Sequence, residues 1–222
     1  VNAENAAKVN NGKAIVVTLS AAATGGTAVG GSWGRAAYDH EVWIYDRSGF
    51  RTVIAGQDGS DPAYQQTHDT HLLVNVTDSD DFPWNKGVKK ELVVGGSRWF
   101  SHHAESFVTV QNGNIKWVVG GTYGGSWDSF TQTGTAHVFV DGGKIDEIFA
   151  AGYDSNLNVG AGNQAVKMVL SGGTLGGENQ RVFGGGHGFT ITGDIYIRMD
   201  GDAVVQSQLV GGSNGGTVNG DI

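Results

Sequence analysis

Short stretches of alternating apolar and polar residues recur along the chain, and each ends at a turn that contains glycine. Residues 195–199 read Ile-Tyr-Ile-Arg-Met, and residues 166–173 and 137–143 follow the same alternation before a Gly-Gly or an Asp-Gly-Gly turn. A period of two predicts strands with one buried face, because successive side chains of a strand point to opposite sides of the sheet. Glycine interrupts the chain too often for a helix of about ten residues.

The alternating stretches define a repeat of about 30 residues. Repeat boundaries fall at 14–40, 41–70, 71–105, 106–135, 136–164, 165–194 and 195–221. Each repeat holds a half-buried strand, a tight turn, a second strand and a shorter third segment. One such unit cannot bury its apolar face alone, whereas stacked units share a continuous core. We therefore predict an all-β protein, a parallel β-helix (solenoid) of about seven coils of roughly 30 residues; a propeller and a stack of antiparallel hairpins are the alternatives.

Polar turn residues stand at the same place in successive repeats. They are Asp46, Asp78, Asn112, Asp141, Ser171 and Asp200. An Asx side chain can accept a hydrogen bond from its own turn while a neighbouring glycine adopts positive φ, so a structural role is sufficient for this set.

At the level of fold, the repeat pattern of residues 14–221 resembles the right-handed β-helices of pectate lyases and of bacterial autotransporter and adhesin passenger domains. The resemblance rests on the repeats and not on a catalytic motif. It implies a secreted, extracellular or cell-surface protein of bacterial origin. We expect residues 1–13 to form a polar leader or an N-terminal cap and residues 14–222 to form a single β-solenoid domain. Because the chain stops at Ile222, where other repeats begin a new strand, we expect a domain truncated from a longer array, or an end that self-associates into a filament.

Composition narrows the range of functions. The chain has 222 residues, of which 38 are glycine and none is cysteine, and its formal net charge is −8. An anionic surface repels a phosphate backbone, which argues against nucleic acid as a partner. No apolar run approaches the roughly 20 residues of a membrane-spanning helix, so we predict no membrane span in this chain.

Aromatic residues recur in the polar loops and on outward-facing strand positions. The predicted ligand-binding residues are Trp33, Trp43, Trp99, Tyr123, Trp127 and Tyr153. Rings at matched positions of stacked repeats would form a stripe suited to stacking on sugars or to anchoring a protein. Alternatively, the loops fold back and bury the rings against the strands.

Histidine and aspartate clusters are candidate metal ligands. Five of the seven histidines lie between residues 40 and 103, near the closing segments of the first three repeats. The candidate ligands are His68, His71, His102, His103, Asp78, Asp80 and Asp81, which would hold Ca²⁺ or a transition metal. Alternatively, the histidines are ordinary surface residues and the aspartates belong to a solvated insertion.

Phosphate-loop, nucleophile-elbow and dinucleotide motifs are missing from the sequence. We therefore assign no catalytic residue and expect a protein that is not an enzyme: an adhesin, a module displaying a binding surface for a glycan or a host or cell-surface protein, or a fibre segment. The alternative is a polysaccharide-degrading enzyme, a lyase or glycoside hydrolase, on a β-helix scaffold.

Overall fold

The computed structural model describes residues 8–9, 14–19, 26–31, 39–45, 51–59, 66–76, 90–125 and 130–222. These residues form strands, turns and bends, and there is no helix among them, so the all-β prediction is confirmed for this part of the chain. The same residues accordingly include no helix of the length and hydropathy needed to cross a bilayer.

The strands of the described residues are short, with two exceptions that each continue through a turn. In chain order they are β1 (Lys8–Val9), β2 (Ala14–Leu19), β3 (Thr27–Val29), β4 (Asp39–Tyr45), β5 (Thr52–Ile54), β6 (Thr70–Asn75), β7 (Lys90–Val94), β8 (Ser106–Asn112), β9 (Asn114–Val119), β10 (Phe130–Gln132), β11 (Ala136–Phe149), β12 (Ser155–Asn158), β13 (Gln164–Leu175), β14 (Arg181–Phe183), β15 (Thr190–Thr192), β16 (Asp194–Met199), β17 (Val204–Val205), β18 (Gln208–Val210) and β19 (Thr217–Asn219).

The strands form three parallel stacks. Stack A contains β2, β4, β6, β8, the first part of β11, the first part of β13, and β16. Stack B contains β3, β5, β7, β9 and the second part of β11. The second part of β11 then pairs with two strands of the next repeat: the end of β13, which pairs with β17, and β14, which pairs with β18. Stack C contains β10, β12, β15 and β19. Among the described strands, only β1 runs antiparallel to its partner, β2.

Consecutive repeats pair in register. In stack A, residues 42, 72, 108, 138, 168 and 197 are successive Cα partners, so the offset between partners is 30, 36, 30, 30 and 29 residues. The predicted stacking of repeats of about 30 residues is therefore confirmed for Val138, Met168 and Ile197. Because β11 belongs to stacks A and B, the main sheet runs from β1 to β11 and returns to β3, a nearly closed, barrel-like arrangement of parallel strands.

The core lies on the inner faces of stacks A and B. Inward positions are occupied by aliphatic side chains that are almost completely buried, as at Val42, Leu72, Val108, Val138 and Met168. Their outward neighbours are partly exposed, which confirms the predicted alternation. The turn between stacks A and B requires glycine: Gly143 and Gly173 have φ of 88° and 89°, and a Cβ on Gly143 would lie 2.7 Å from the carbonyl oxygen of Gly113.

The last repeat exposes residues that earlier repeats bury. Met199 is the Cα partner of Leu170, yet Met199 is 44% exposed and Leu170 is 0% exposed. Leu209, the partner of the buried Val182, is likewise 40% exposed. Side chains with identical positions in the repeat therefore differ in burial at this end.

We expect Leu170→Ala to lower the free energy of unfolding by about 2 to 5 kcal/mol, since it leaves a cavity in a closed layer. Met199→Ala should cost less than about 1 kcal/mol, because its side chain already meets solvent. Urea titration followed by far-ultraviolet circular dichroism measures both values. Equal costs for the two variants would contradict the described difference in burial.

Candidate functional site

Three rings from consecutive repeats stack in the loops that follow stack B. Tyr123, Tyr153 and His187 are joined by parallel backbone bridges. The centroids of Tyr123 and Tyr153 lie 5.0 Å apart and those of Tyr153 and His187 lie 4.4 Å apart, with interplanar angles of 9° in both pairs. We call these three residues the ring ladder. Tyr153 is therefore flanked by a ring on each side, and the edges of the rings, more than their faces, are open to a ligand.

The ring ladder folds back onto the outer face of stack B. Phe149 meets the Tyr153 ring edge to face at 5.1 Å and stacks on Phe183 at 5.4 Å. These phenylalanines belong to a second apolar cluster, outside the main core, which comprises Ile54, Leu92, Val94, Val119, Phe149 and Phe183. Two alternatives were open for the loop aromatics: an exposed stripe, or loops that fold back against the strands. Tyr123 and Tyr153 follow the second alternative, because both are half-buried against the second apolar cluster.

An ion pair and an exposed indole continue the ladder into the preceding repeats. Arg98 is the bridge partner of Tyr123 and of Asp58. Its guanidinium donates two hydrogen bonds to the Asp58 carboxylate, at 2.7 and 2.6 Å. The same guanidinium carbon lies 4.6 Å from the centroid of Trp99, which is 40% exposed and has a φ of 60°. Trp99 is thus held at the surface by the backbone and by a cation–π contact.

Carboxylates surround the ladder. Burial raises the pKa of Glu147, which is the Cα partner of Trp117, and the Trp117 ring lies 5.5 Å from Tyr153. Asp154 contacts Nδ1 of His187 through its Oδ1 at 2.8 Å. Burial, reinforced by Asp154, raises the pKa of Tyr153, so its phenol remains a hydrogen-bond donor at neutral pH. The surface therefore combines hydroxyl, imidazole, indole and carboxylate groups, which suit a ligand rich in hydroxyl or amide groups.

A second set of stacked rings lies on the outer face of stack A. His71 and His137 flank Phe107, with centroid distances of 4.4 and 4.2 Å. Nε2 of His137 lies 3.1 Å from Oε2 of Glu105, while burial lowers the pKa of His137 against the opposing effect of that carboxylate. This set links three consecutive repeats through ring contacts.

The predicted metal-binding histidines occupy separate environments. His71 stacks on Phe107, His102 is fully buried, His103 contacts Thr133, and His68 lies 3.8 Å from Asp39. Among the residues that the structure describes, no group of three or more His, Cys, Asp or Glu side chains is arranged to hold a metal ion. The other proposed ligands, Asp78, Asp80 and Asp81, lie outside the described residues, so the calcium prediction remains a prediction.

The predicted ligand-binding aromatics also separate into groups. Trp43 on stack A is 38% exposed, and Trp99 is 40% exposed in the loop after stack B. Tyr123 and Tyr153 belong to the ring ladder, and Trp33 and Trp127 lie outside the described residues. Trp43 and Trp99 therefore lie in different parts of the repeat, whereas Tyr123 and Tyr153 stack at matched positions of consecutive repeats, and ligand binding at these rings remains a prediction.

Sequence reasoning missed Trp117, Glu147 and Asp58. Trp117 and Glu147 stand at the same outward position of stack B in consecutive repeats, and aligning the second strand of each repeat would have paired them. Asp58 gave no signal in the sequence. Its contact with Arg98 joins two loop residues that are 40 positions apart, which is longer than the usual repeat of about 30 residues.

Nothing matches the chain in comparisons with protein-family models, with curated proteins and with solved structures. The structure itself therefore carries the functional argument.

We expect Tyr153→Ala to lower the free energy of unfolding by about 2 to 3 kcal/mol, because it removes the ring between Tyr123 and His187. Tyr153→Phe keeps the ring and should cost less than about 1 kcal/mol. Urea titration compares the two variants. If both lose the same free energy, the phenol hydroxyl and not ring stacking is the stabilising group.

Proposed function

We propose that the chain is a β-solenoid of about seven coils and that it serves as a bacterial extracellular or cell-surface display module. The observation that supports the coil is the parallel pairing of equivalent residues in every pair of consecutive repeats along stack A. A closed parallel barrel is the alternative architecture. Stack C adds support for the solenoid, because a third set of parallel pairs follows the same order of repeats.

The proposed ligand is a glycan or a host or cell-surface protein, bound at exposed aromatic residues. Trp43 and Trp99 support this assignment, because each presents well over a third of its surface to solvent although most large apolar side chains before the last repeat are buried. A rigid rod that carries several weak contacts gains avidity from their number, so no contact needs to be strong. The formal net charge of −8 favours a neutral or cationic ligand over an acidic polysaccharide.

Polysaccharide cleavage is the second candidate, and one feature of the ring ladder favours it. Glu147 has a raised pKa and lies beside Trp117, while the His187–Asp154 pair adds a base held by a carboxylate. A carboxyl group with a raised pKa next to aromatic rings is a plausible general acid for glycoside hydrolysis. A display module requires no such pair.

Deletion of residues 136–165, a complete repeat, should leave a folded protein if the chain is a solenoid. Since Ala136 and Val166 are Cα partners, the strand that starts at Val166 would pair with β8 in place of β11. Circular dichroism and a cooperative urea transition would report the fold. Deletion of residues 136–150, half a repeat, is the control and should abolish folding, because it shifts every later strand to the wrong stack. Loss of folding in both variants would favour a closed barrel.

Trp99→Ala should weaken binding of the best neutral or cationic glycan found on a glycan array by at least about tenfold, because an exposed indole in a binding surface commonly contributes that much. Tyr196→Ala is the matched control, since Tyr196 is 44% exposed but lies on stack A in the last repeat. Calorimetry measures both affinities.

Failure of the intact chain to bind any glycan or any cell surface would contradict the display function. The same incubations should be assayed for new reducing or unsaturated ends. Release of such ends by the intact chain, and its loss in Glu147→Gln, would establish the enzymatic alternative in place of display.

A further inference from the structure

A corner of the interior is polar in the early repeats. It is formed by side chains with no exposed surface, namely His40, Gln66, Thr70, Ser97, His102 and Ser106. We call this set the polar corner. Its members come from stack A and from the segments that approach stack C, so they face the same interior space as the aliphatic core.

The ring nitrogens of the two imidazoles in the polar corner make few or long hydrogen bonds. His102 contacts the Ser97 hydroxyl through Nδ1 at 3.3 Å and the Glu105 carbonyl oxygen through Nε2 at 3.2 Å. Among the described residues, neither ring nitrogen of His40 has a hydrogen-bond partner, and the Oε1 atom of Gln66 also has none. A buried imidazole with this environment is tolerated when neutral and is costly when protonated.

The same positions become apolar in later repeats. His102 pairs with Gln132, which pairs with Leu157 and then with Ile191. Likewise, the stack A row that contains His40 begins at Ile15 and continues after His40 through Thr70, Ser106 and Ala136 to Val166. Polarity therefore ends after the fourth repeat, and the later repeats have aliphatic side chains at the equivalent positions.

The carboxylates nearest to the imidazoles are engaged elsewhere. Asp39 faces His40 and His68, and its Oδ1 accepts a hydrogen bond from the backbone N–H of Asp69 at 3.1 Å. Asp69 faces His102, and its Oδ1 accepts from the backbone N–H of Glu105 at 2.9 Å. His103 also faces His102, and His40 and His102 face each other. Once protonated, these imidazoles would repel each other, and the carboxylates of Asp39 and Asp69 would compensate for this repulsion only in part.

Burial sets the protonation of both imidazoles. It lowers the pKa of His40 from 6.5 to about 4, with a further lowering from His68 and an opposing effect of Asp39. It also lowers the pKa of His102 to about 4, opposed by the Glu105 carbonyl and by Asp69. The two imidazoles bind protons more readily in the opened corner than in the closed one. The closed form therefore keeps its stability at pH values above 6.5, the ordinary pKa of histidine, and loses stability as the pH falls toward about 4.

We propose that the polar corner is an acid-sensitive latch, which opens the first three repeats in mildly acidic solution while the later repeats stay folded. Repeats that contact only their neighbours can open from one end, since stability in such arrays is a sum of local terms. From the two pKa values, each imidazole should raise the local opening constant by about twentyfold between pH 7 and pH 5.

Single cysteines provide a local test, because the chain has none of its own. Val74 and Leu170 are fully buried and occupy the same row of stack A, three repeats apart. Val74→Cys and Leu170→Cys would be treated with 4,4′-dithiodipyridine, which reacts with thiols in acid. Rates at each pH are divided by the rate of a free thiol. Between pH 7 and pH 5 we expect at least a tenfold rise for Val74→Cys and no rise for Leu170→Cys.

Substitutions in the polar corner identify the groups responsible. His102→Leu copies Leu157 of a later repeat, and His40→Val copies Val166, so each replacement has a precedent at its own position. In the Val74→Cys background, either change should reduce the rise, and both together should remove it. His71→Leu is the control, because His71 faces outward on Phe107, and it should leave the rise unchanged.

Three results would overturn the proposal. They are equal rises at both cysteines, which means global unfolding; no rise at Val74→Cys; and a rise that persists in the His40→Val, His102→Leu double variant.

Discussion

Parallel backbone pairing between equivalent residues of consecutive repeats decides which side chains touch in this protein. Neighbouring strands lie about 4.8 Å apart, so a residue meets its counterpart roughly 30 positions away more closely than it meets most of its own repeat. The row from Val42 through Leu72, Val108 and Val138 to Met168 is buried throughout for this reason. An apolar residue at one position thus stabilises its equivalents on both sides, and the cost of a polar residue is shared in the same way.

Ring contacts follow from the same spacing. Planar groups at matched positions meet face to face at separations between 4.2 and 5.4 Å, as for Phe107 with His137 and Phe149 with Phe183. Stacking of this kind holds repeats together, but it covers the ring faces on which a sugar would stack. Ligand contacts are therefore expected at rings that leave the ladder. Trp99 is such a ring, because it is 40% exposed and the group over its ring is the Arg98 guanidinium.

Much of the architecture could be predicted from the sequence because its signals are local. The period of two, the spacing of the Asx-Gly turns and the regular repeat length together predicted strands, parallel order and the register of Val138 with Met168. Glycine at the turn between stacks A and B was predictable from the same pattern, since Gly143 and Gly173 adopt positive φ.

Side-chain surroundings at the corners were less predictable. Alternation tells inward from outward only within a strand, whereas His102 stands outside the strands and points into the core. Its proximity to other histidines in the sequence favoured a surface metal site, although burial separates it from His71, which faces outward. Glu147 was missed because its environment depends on Trp117, which only an alignment of the second strands pairs with it, and on a loop that folds back.

The change from polar to aliphatic residues along the interior explains why such a corner can persist. An unsatisfied buried polar group costs about 1 to 3 kcal/mol, which a small closed domain could scarcely absorb more than once. In a stacked array the cost is borne by the repeats that contain it and their neighbours, while aliphatic repeats such as those containing Leu157 and Ile191 provide a stable base. Hydroxyl and amide groups limit the cost further: Gln132 donates to the Ser106 hydroxyl at 2.9 Å and to the Gly134 carbonyl at 3.0 Å. The number of buried polar side chains is thus greatest where the imidazoles lie and declines toward the later repeats.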